Sequence, residues 1–300
     1  MNSSSPPSLV PRCSCAGHAA SAQRRRLFTA LLAAGAVSPL LAGAAQAADA
    51  ECKRSVFAGA VPASQVEGSA RQQYAQLMRE AQSKNALAEA GDAQLERLRY
   101  IAARIIPFTA ACNERAREWR WEVQLLRSSQ LNAFCMPGGK IAFFSGILAR
   151  LKLSDDEVAM IMGHEVAHAL LEHARERIAK SSGTNVGLRL LAAIFGLGSI
   201  GDMAAQGASQ LLSLQFSRSD ESEADALGLL LAARAGYDPR AGVVLWQKMG
   251  AVNAGKTPPA WLSTHPAGPE RIKEIEARLP KVLPEFQRAA APDKRFPVAA

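Results

Sequence analysis

The stretch Gly163-His164-Glu165-Val166-Ala167-His168 constrains this chain more than any other. On an α-helix, residues four apart return to one face, so His164 and His168 address a single point and Glu165 stands beside them. Two neutral imidazoles at that spacing suit Zn²⁺, and the adjacent carboxylate is placed to take a proton from an attacking water. Chemistry of that kind needs a helix held rigidly in a core. The flanking residues meet the requirement. Ser154-Asp155-Asp156-Glu157 reads as a capping box whose acidic turn complements the positive end of the helix dipole. Val158 to Met162 follow without a charge, and Gly163 permits a close neighbour. The pattern becomes mixed after His168, which predicts a helix leaving the core and ending near Lys180-Ser181-Ser182-Gly183. His173 lies nine positions past His164, about 180° away on a continuous helix, and is therefore read as structural rather than as a ligand. Leu171 stands where a third-histidine pattern would need a turn-forming glycine, so a further ligand has to come from another element.

A candidate for it lies in Phe216-Ser217-Arg218-Ser219-Asp220-Glu221-Ser222-Glu223-Ala224-Asp225, which opens a second long helix running to Gly236. Glu221 and Asp225 are four apart and share a face, while Glu223 points away from both. Glu221 offers a third metal ligand and Asp225 an acceptor that orients a ligand histidine, although a solvated acidic stripe has the same spacing.

Charge weighs against a nucleic-acid partner. The net charge is +8, but Arg12, Arg24, Arg25 and Arg26 lie in the first 47 residues, which hold no acid; without them 31 basic residues face 27 acidic ones, a net of +4. No basic run with interleaved aromatics remains. Arg24-Arg25-Arg26, the apolar run from Leu27 to Gly35 and the small-x-small triplet Ala45-Gln46-Ala47 read as an export signal over residues 1–47, with an uncleaved membrane anchor over Leu27 to Ala48 as the rival reading. Arg25-Arg26-Leu27-Phe28 resembles a twin-arginine signal, a motif that Sec signals overlap. Cleavage would leave Cys52, Cys112 and Cys135 in an oxidising compartment. Of the three single pairings open to them, Cys52 with Cys112 is favoured, because Cys135 sits in an apolar strand-like run that suits a buried thiol.

Between leader and metal helix, residues 67 to 106 carry two amphipathic helical patterns separated by Ala90-Gly91-Asp92. Trp121, Val123 and Leu125 then alternate, and Pro137-Gly138-Gly139 breaks an apolar run into two short strands, which predicts a small antiparallel sheet. An exposed edge of that sheet could hold an extended peptide through main-chain hydrogen bonds. Leu190 to Gly201 is twelve residues without charge, short of a membrane span, and reads as a mobile cover or a buried segment.

Together, His164-Glu165-x-x-His168, Ser217-Arg218-x-x-Glu221-x-x-Ala224-Asp225-x-x-Gly228, Gly236-Tyr237-Asp238-Pro239 and Thr264-His265-Pro266 with Arg271 resemble the zinc metallopeptidase family of bacterial HtpX and the CAAX prenyl protease. Asn132-Ala133-Phe134 and Pro137-Gly138-Gly139 match it too; Cys135 and Met136 stand where Ala and Leu are more usual. The resemblance implies an α+β, predominantly α-helical, zincin-like (gluzincin) domain over residues 69–280, after a linker at 48–68 and before a flexible tail at 281–300. It implies one Zn²⁺ per chain on His164, His168 and Glu221, with Glu165 as base, Asp225 behind a ligand, His265 near the metal, and Asn132, Ala133 and Phe134 holding substrate. Within the family the chain is most similar to exported quality-control proteases. The implied setting is the periplasm of a Gram-negative-type bacterium, and the implied partners are misfolded or unassembled envelope polypeptides, outer-membrane proteins among them, with peripheral membrane association compatible. A zinc-bound chaperone or assembly factor with a shut protease site and a membrane-anchored processing peptidase are the rival readings. His265, in a loop signal before Pro266, could stabilise the oxyanion or occupy the fourth metal position.

Overall fold

The computed structural model describes residues 51–181, 216–253, 260–265 and 269–299. The expected export signal and the apolar stretch 190–201 lie outside the described residues, and among the described ones no helix is long and apolar enough to cross a membrane.

After a 3-10 turn at Val56–Ala60 come helices α1 (Ala63–Ser83) and α2 (Ala93–Ile105), separated as the sequence predicts. Asp92 caps α2 by accepting from the amides of Gln94 and Leu95. Three strands follow: β1 (Glu122–Leu126), β2 (Ala133–Met136) and β3 (Lys140–Phe144). Gly138 and Gly139, at φ +87° and +76°, make the tight turn that lets β2 pair antiparallel with β3. The predicted antiparallel sheet holds for that pair alone. β1 runs parallel to β3, in the order β1-β3-β2, so the sheet is mixed and β2 is an edge. Period-two patterning identifies strands and says nothing about partner order, which the six-residue link from β1 sets by carrying the chain past β3 to its far side.

Both faces of the sheet are covered. Val123, Leu125, Cys135, Ile141 and Phe143 join the main core, while Leu126, Phe134, Met136 and Ala142 pack with Val66, Ala70 and Tyr74 of α1. The Tyr74 hydroxyl donates to Ile141 O at 2.8 Å, and burial raises its pKa well above the usual phenol range.

Helix α3 (Ser145–Arg150) leads into α4 (Asp155–Leu170), the helix that carries His164 and His168. Ser154 and Glu157 form the reciprocal capping box read from the sequence. Buried Arg97 of α2 pairs with Asp155 at 2.6 Å and fixes the same end. The predicted run of α4 to residue 180 is corrected: the helix stops at Leu170, Glu172 takes a positive φ of 62°, and α5 (His173–Ser181) starts in a new direction. Helix α6 (Arg218–Arg234) opens on a second capping box, Ser217 with Asp220, and packs along α4. The two helices meet at Gly163 and Gly228, where a Cβ on Gly163 would stand 2.6 Å from Gly228 O. Helices α7 (Ala241–Asn253), α8 (Ala260–Thr264) and α9 (Pro269–Arg288) complete the described α-helices.

Ordered elements extend beyond residues 69–280 at both ends. The stretch expected as a linker includes the 3-10 turn and the start of α1, and a Cys52–Cys112 disulfide ties it to the core, the pairing favoured from sequence, with Cys135 buried and free. Helix α9 runs through Pro280 and Pro284 to Arg288. Beyond it, in the stretch expected as a tail, Phe296 N donates to Asp155 Oδ2 at 2.9 Å, Lys294 N donates to the Tyr100 hydroxyl at 3.2 Å, and Arg295 pairs with Asp156 at 2.9 Å.

Candidate metal centre and active site

Four of the chain's five histidines converge where α4 faces α6. His164 and His168 present Nε2 atoms 3.0 Å apart, as the four-residue spacing requires. Glu221 reaches both from α6, with its Oε2 3.6 Å from His164 Nε2 and its Oε1 3.4 Å from His168 Nε2. His265, one residue beyond α8, brings Nδ1 to 2.9 Å from Glu221 Oε1 and 3.2 Å from His164 Nε2. One donor atom from each of these four buried residues lies within 4.8 Å of all the others.

The outer contacts decide what this cluster suits. His164 Nδ1 lies 2.9 Å from Asp225 Oδ1, which places the proton of neutral His164 on Nδ1 and its lone pair on Nε2, toward the cluster. Asp225 is in turn gripped by Arg271, whose Nε and Nη2 donate to its two oxygens at 2.8 and 2.7 Å. Arg271 also donates to Glu221 through Nη1, and its guanidinium lies 3.7 Å over the Trp246 ring. Lone-pair atoms of several residues aimed at one point repel unless a cation lies between them. Donors bound at about 2.0–2.1 Å around a tetrahedral zinc stand roughly 3.3 Å from one another, and the nearest contacts among the four residues, 2.9–3.6 Å, are of that order, with all four donor atoms within 4.8 Å. His164, His168 and Glu221 are therefore suited to hold a metal, and His265 brings a further donor atom beside them.

Burial and charge compete throughout. Burial lowers the pKa of His168 well below its ordinary value, which favours the neutral, ligating imidazole. Burial also opposes ionisation of Glu221 and Asp225. For Glu221, His265 and His168 outweigh it, and for Asp225, Arg271 and His164 do, so both stay anionic. Burial pulls His265 down, yet Glu165 and Glu221 hold it above its usual value.

Glu165, 3 % exposed, accepts from Trp261 Nε1 at 2.6 Å and lies 3.5 Å from His265 Nε2. Trp261 was not identifiable as a site residue from sequence: only the structure shows that one turn of α8 directs Trp261 and His265 at the same centre. His265 N donates to Trp261 O at 2.8 Å, so the loop signal before Pro266 begins as helix. His173 is absent from the donor cluster, as the sequence reading holds, but it is not remote. The break after Leu170 swings it back until its Nδ1 lies 2.8 Å from His168 Nδ1.

Beside the centre lies a small cleft of about 50 Å³, lined by Asn132 to Pro137 along β2, by Glu165 and His168 on α4, and by Phe216 and His265. Asn132, Ala133 and Phe134 thus line the cleft at the sheet's edge, with the Asn132 side chain accepting from Ala133 N at 3.0 Å.

Residues 92–279 match the model of peptidase family M48. The chain belongs to that family. Among its M48 relatives, the mitochondrial metalloendopeptidase OMA1 of Arabidopsis thaliana is 42 % identical over 51 % of this chain and 30 % of its own length. The metalloprotease LoiP of Escherichia coli is 30 % identical over 51 % of this chain and 60 % of its own. A putative beta-barrel assembly-enhancing protease of Vibrio cholerae is 32 % identical over 51 % of this chain and 34 % of its own. The matched region spans less than two thirds of each relative. It contains all four residues of the donor cluster, His164, His168, Glu221 and His265, together with Asp225 and Arg271 behind them.

Proposed function

We propose that the protein is a zinc-dependent endopeptidase, with His164, His168 and Glu221 as ligands and Glu165 as general base. The observation that carries this reading is the convergence of four ligand atoms within 4.8 Å, next to a buried carboxylate and a cleft bordered by the edge strand. Zinc, when bound, supplies Lewis acidity that polarises the scissile carbonyl and brings the attacking water's pKa near neutrality. Glu165 takes the proton from that water and delivers it to the leaving amine. Trp261 holds Glu165 in one orientation through its indole N–H. The outer edge of β2, which pairs with no further strand among the described residues, receives the substrate backbone as an added strand, with Asn132, Ala133 and Phe134 beside it, a mode that reads little side-chain detail and suits unfolded polypeptides.

His265 is read as occupying the fourth donor position and excluding water until α8 moves, because its Nδ1 rather than a distant edge faces the cluster. The same contact is what favours the second reading, a chaperone with its protease site kept shut; the retained Glu165 carboxylate beside the ligands favours the peptidase. Substrates are proposed to be misfolded or unassembled cell-envelope proteins, outer-membrane proteins among them. The Vibrio relative's name, beta-barrel assembly-enhancing protease, supports this choice. A periplasmic setting draws support from the basic and apolar leader and from the Cys52–Cys112 disulfide, which persists in an oxidising compartment. The test is Glu165→Gln, expected to retain the metal and lose casein hydrolysis; hydrolysis at the wild-type rate would remove Glu165 from the mechanism.

A further inference from the structure

The two ligand histidines are supported differently. His164 leans directly on a buried carboxylate, Asp225. His168 leans on another imidazole: its Nδ1 lies 2.8 Å from Nδ1 of His173, which is 1 % exposed, and His173 Nε2 lies 3.4 Å from Oε2 of Glu223. Two facing ring nitrogens at that distance must be one N–H and one lone pair. Were His173 the donor, His168 would carry its proton on Nε2, inside the donor cluster, and His173 would turn a lone pair toward a carboxylate oxygen. With His168 as donor, every proton lies between two heavy atoms: His168 Nδ1–H points to His173 Nδ1, His173 Nε2–H points to Glu223, and the His168 Nε2 lone pair is left free to ligate.

We infer that His173 and Glu223 form an outer relay that fixes the tautomer and ring orientation of His168 as a metal ligand, doing for it what Asp225 does for His164. The fold goes out of its way to build this contact. On a continuous helix His173 would face away from the site; the turn at Glu172, φ 62°, brings it back. Glu172 is buried and held in that turn by Arg115, 2.9 Å away, and by Arg175. Phe216 stacks on the His168 ring at 4.1 Å and leaves the Nδ1 edge to His173. Glu223 receives a further hydrogen bond from Ser219 Oγ at 3.2 Å. The relay closes on α6, the helix that carries Glu221, so the α4 ligand and the α6 ligand are tied together on the outer side of the site as well as at its centre.

The inference rests on the reading of the centre as a metal site, and the test separates the two. Zinc affinity is measured on the full chain by competition with a chromogenic chelator, for wild type, His164→Ala, His173→Phe, His173→Asn and Glu223→Ala. His164→Ala removes a ligand and should abolish tight binding; unchanged affinity there would sink the metal site itself. His173→Phe keeps a ring but has no acceptor, and should weaken zinc by about 10- to 100-fold. His173→Asn places an amide oxygen near the position of Nδ1 and should recover most of that loss. A role in packing alone would rank the two in reverse, since Phe fills the space better. Glu223 is 49 % exposed, so Glu223→Ala should cost only about two- to five-fold. Wild-type affinity in folded His173→Phe would overturn the relay, as would His173→Asn binding no better than His173→Phe. Should His173→Phe fail to fold, wild-type affinity in His173→Ala would overturn the relay equally.

Discussion

Substituting Gly228 by alanine should leave the protein folded while it damages the metal centre. A Cβ there would stand 2.7 Å from His164 N, 2.8 Å from Gly163 C and 2.9 Å from His164 Cα. All three atoms are backbone, so no side chain can swing aside. Ordinary contact begins near 3.4 Å, and α4 and α6 must part by about 0.7 Å to admit the methyl group. Overpacking of this kind costs about 1–3 kcal/mol, and alanine's better helix propensity returns roughly 1 kcal/mol. The net loss is then about 0–2 kcal/mol, a fall in Tm of only several degrees for a domain of this size. The displacement itself falls on the chemistry: the residue pushed is His164, and the helix pushed away carries Glu221 and Asp225. A misplacement approaching 1 Å can cost on the order of 10²-fold in rate. Thermal unfolding, chelator competition and casein hydrolysis on Gly228→Ala should therefore dissociate, with a small change in Tm and a large fall in zinc affinity and turnover. Gly163→Ala should behave alike, and the double variant should cost less than the two single ones added, because a single methyl group already separates the helices. Wild-type zinc affinity and turnover in Gly228→Ala would refute the claim that this crossing sets the ligand geometry.

Other substitutions separate the roles within the site. Glu221→Ala should lose tight zinc binding, since two imidazoles alone leave the ion short of protein ligands; metal analysis checks this, and retained stoichiometric zinc would mean the wrong carboxylate has been chosen. Asp225→Ala should weaken zinc by about 10- to 100-fold by releasing both His164 and Arg271, measured by the same chelator competition. His265→Ala should raise casein turnover, because it clears the fourth donor position; a fall of about 10²-fold would instead assign His265 to the oxyanion.

Much of the site was legible because its spacing is that of one helix. His164 and His168, or Glu221 and Asp225, share a face wherever the backbone is helical, and Ser154 announces the start of α4 through a side chain that bonds three residues ahead. What was not legible depends on where helices stop and how elements meet. Glu172 carries no residue-type signal for a positive φ, so the return of His173 to His168 was hidden by the assumption of one continuous helix. Trp261 looked like any core aromatic, because its indole meets Glu165 only once α8 is docked against α4. The parallel pairing of β1 with β3 was equally invisible, since alternating residues mark a strand's two faces and carry no record of its neighbour. Residues 290–297 offered no periodicity, yet their backbone amides and carbonyls bond to Tyr100, Asp155 and Gln94, a pattern set by shape rather than composition.

The most direct test of the central claim is casein hydrolysis by the purified protein before metal removal, after stripping with a chelator, and after return of one equivalent of zinc. Activity should disappear on stripping and return as zinc reaches one per chain. Hydrolysis by the stripped protein at the original rate would contradict that claim.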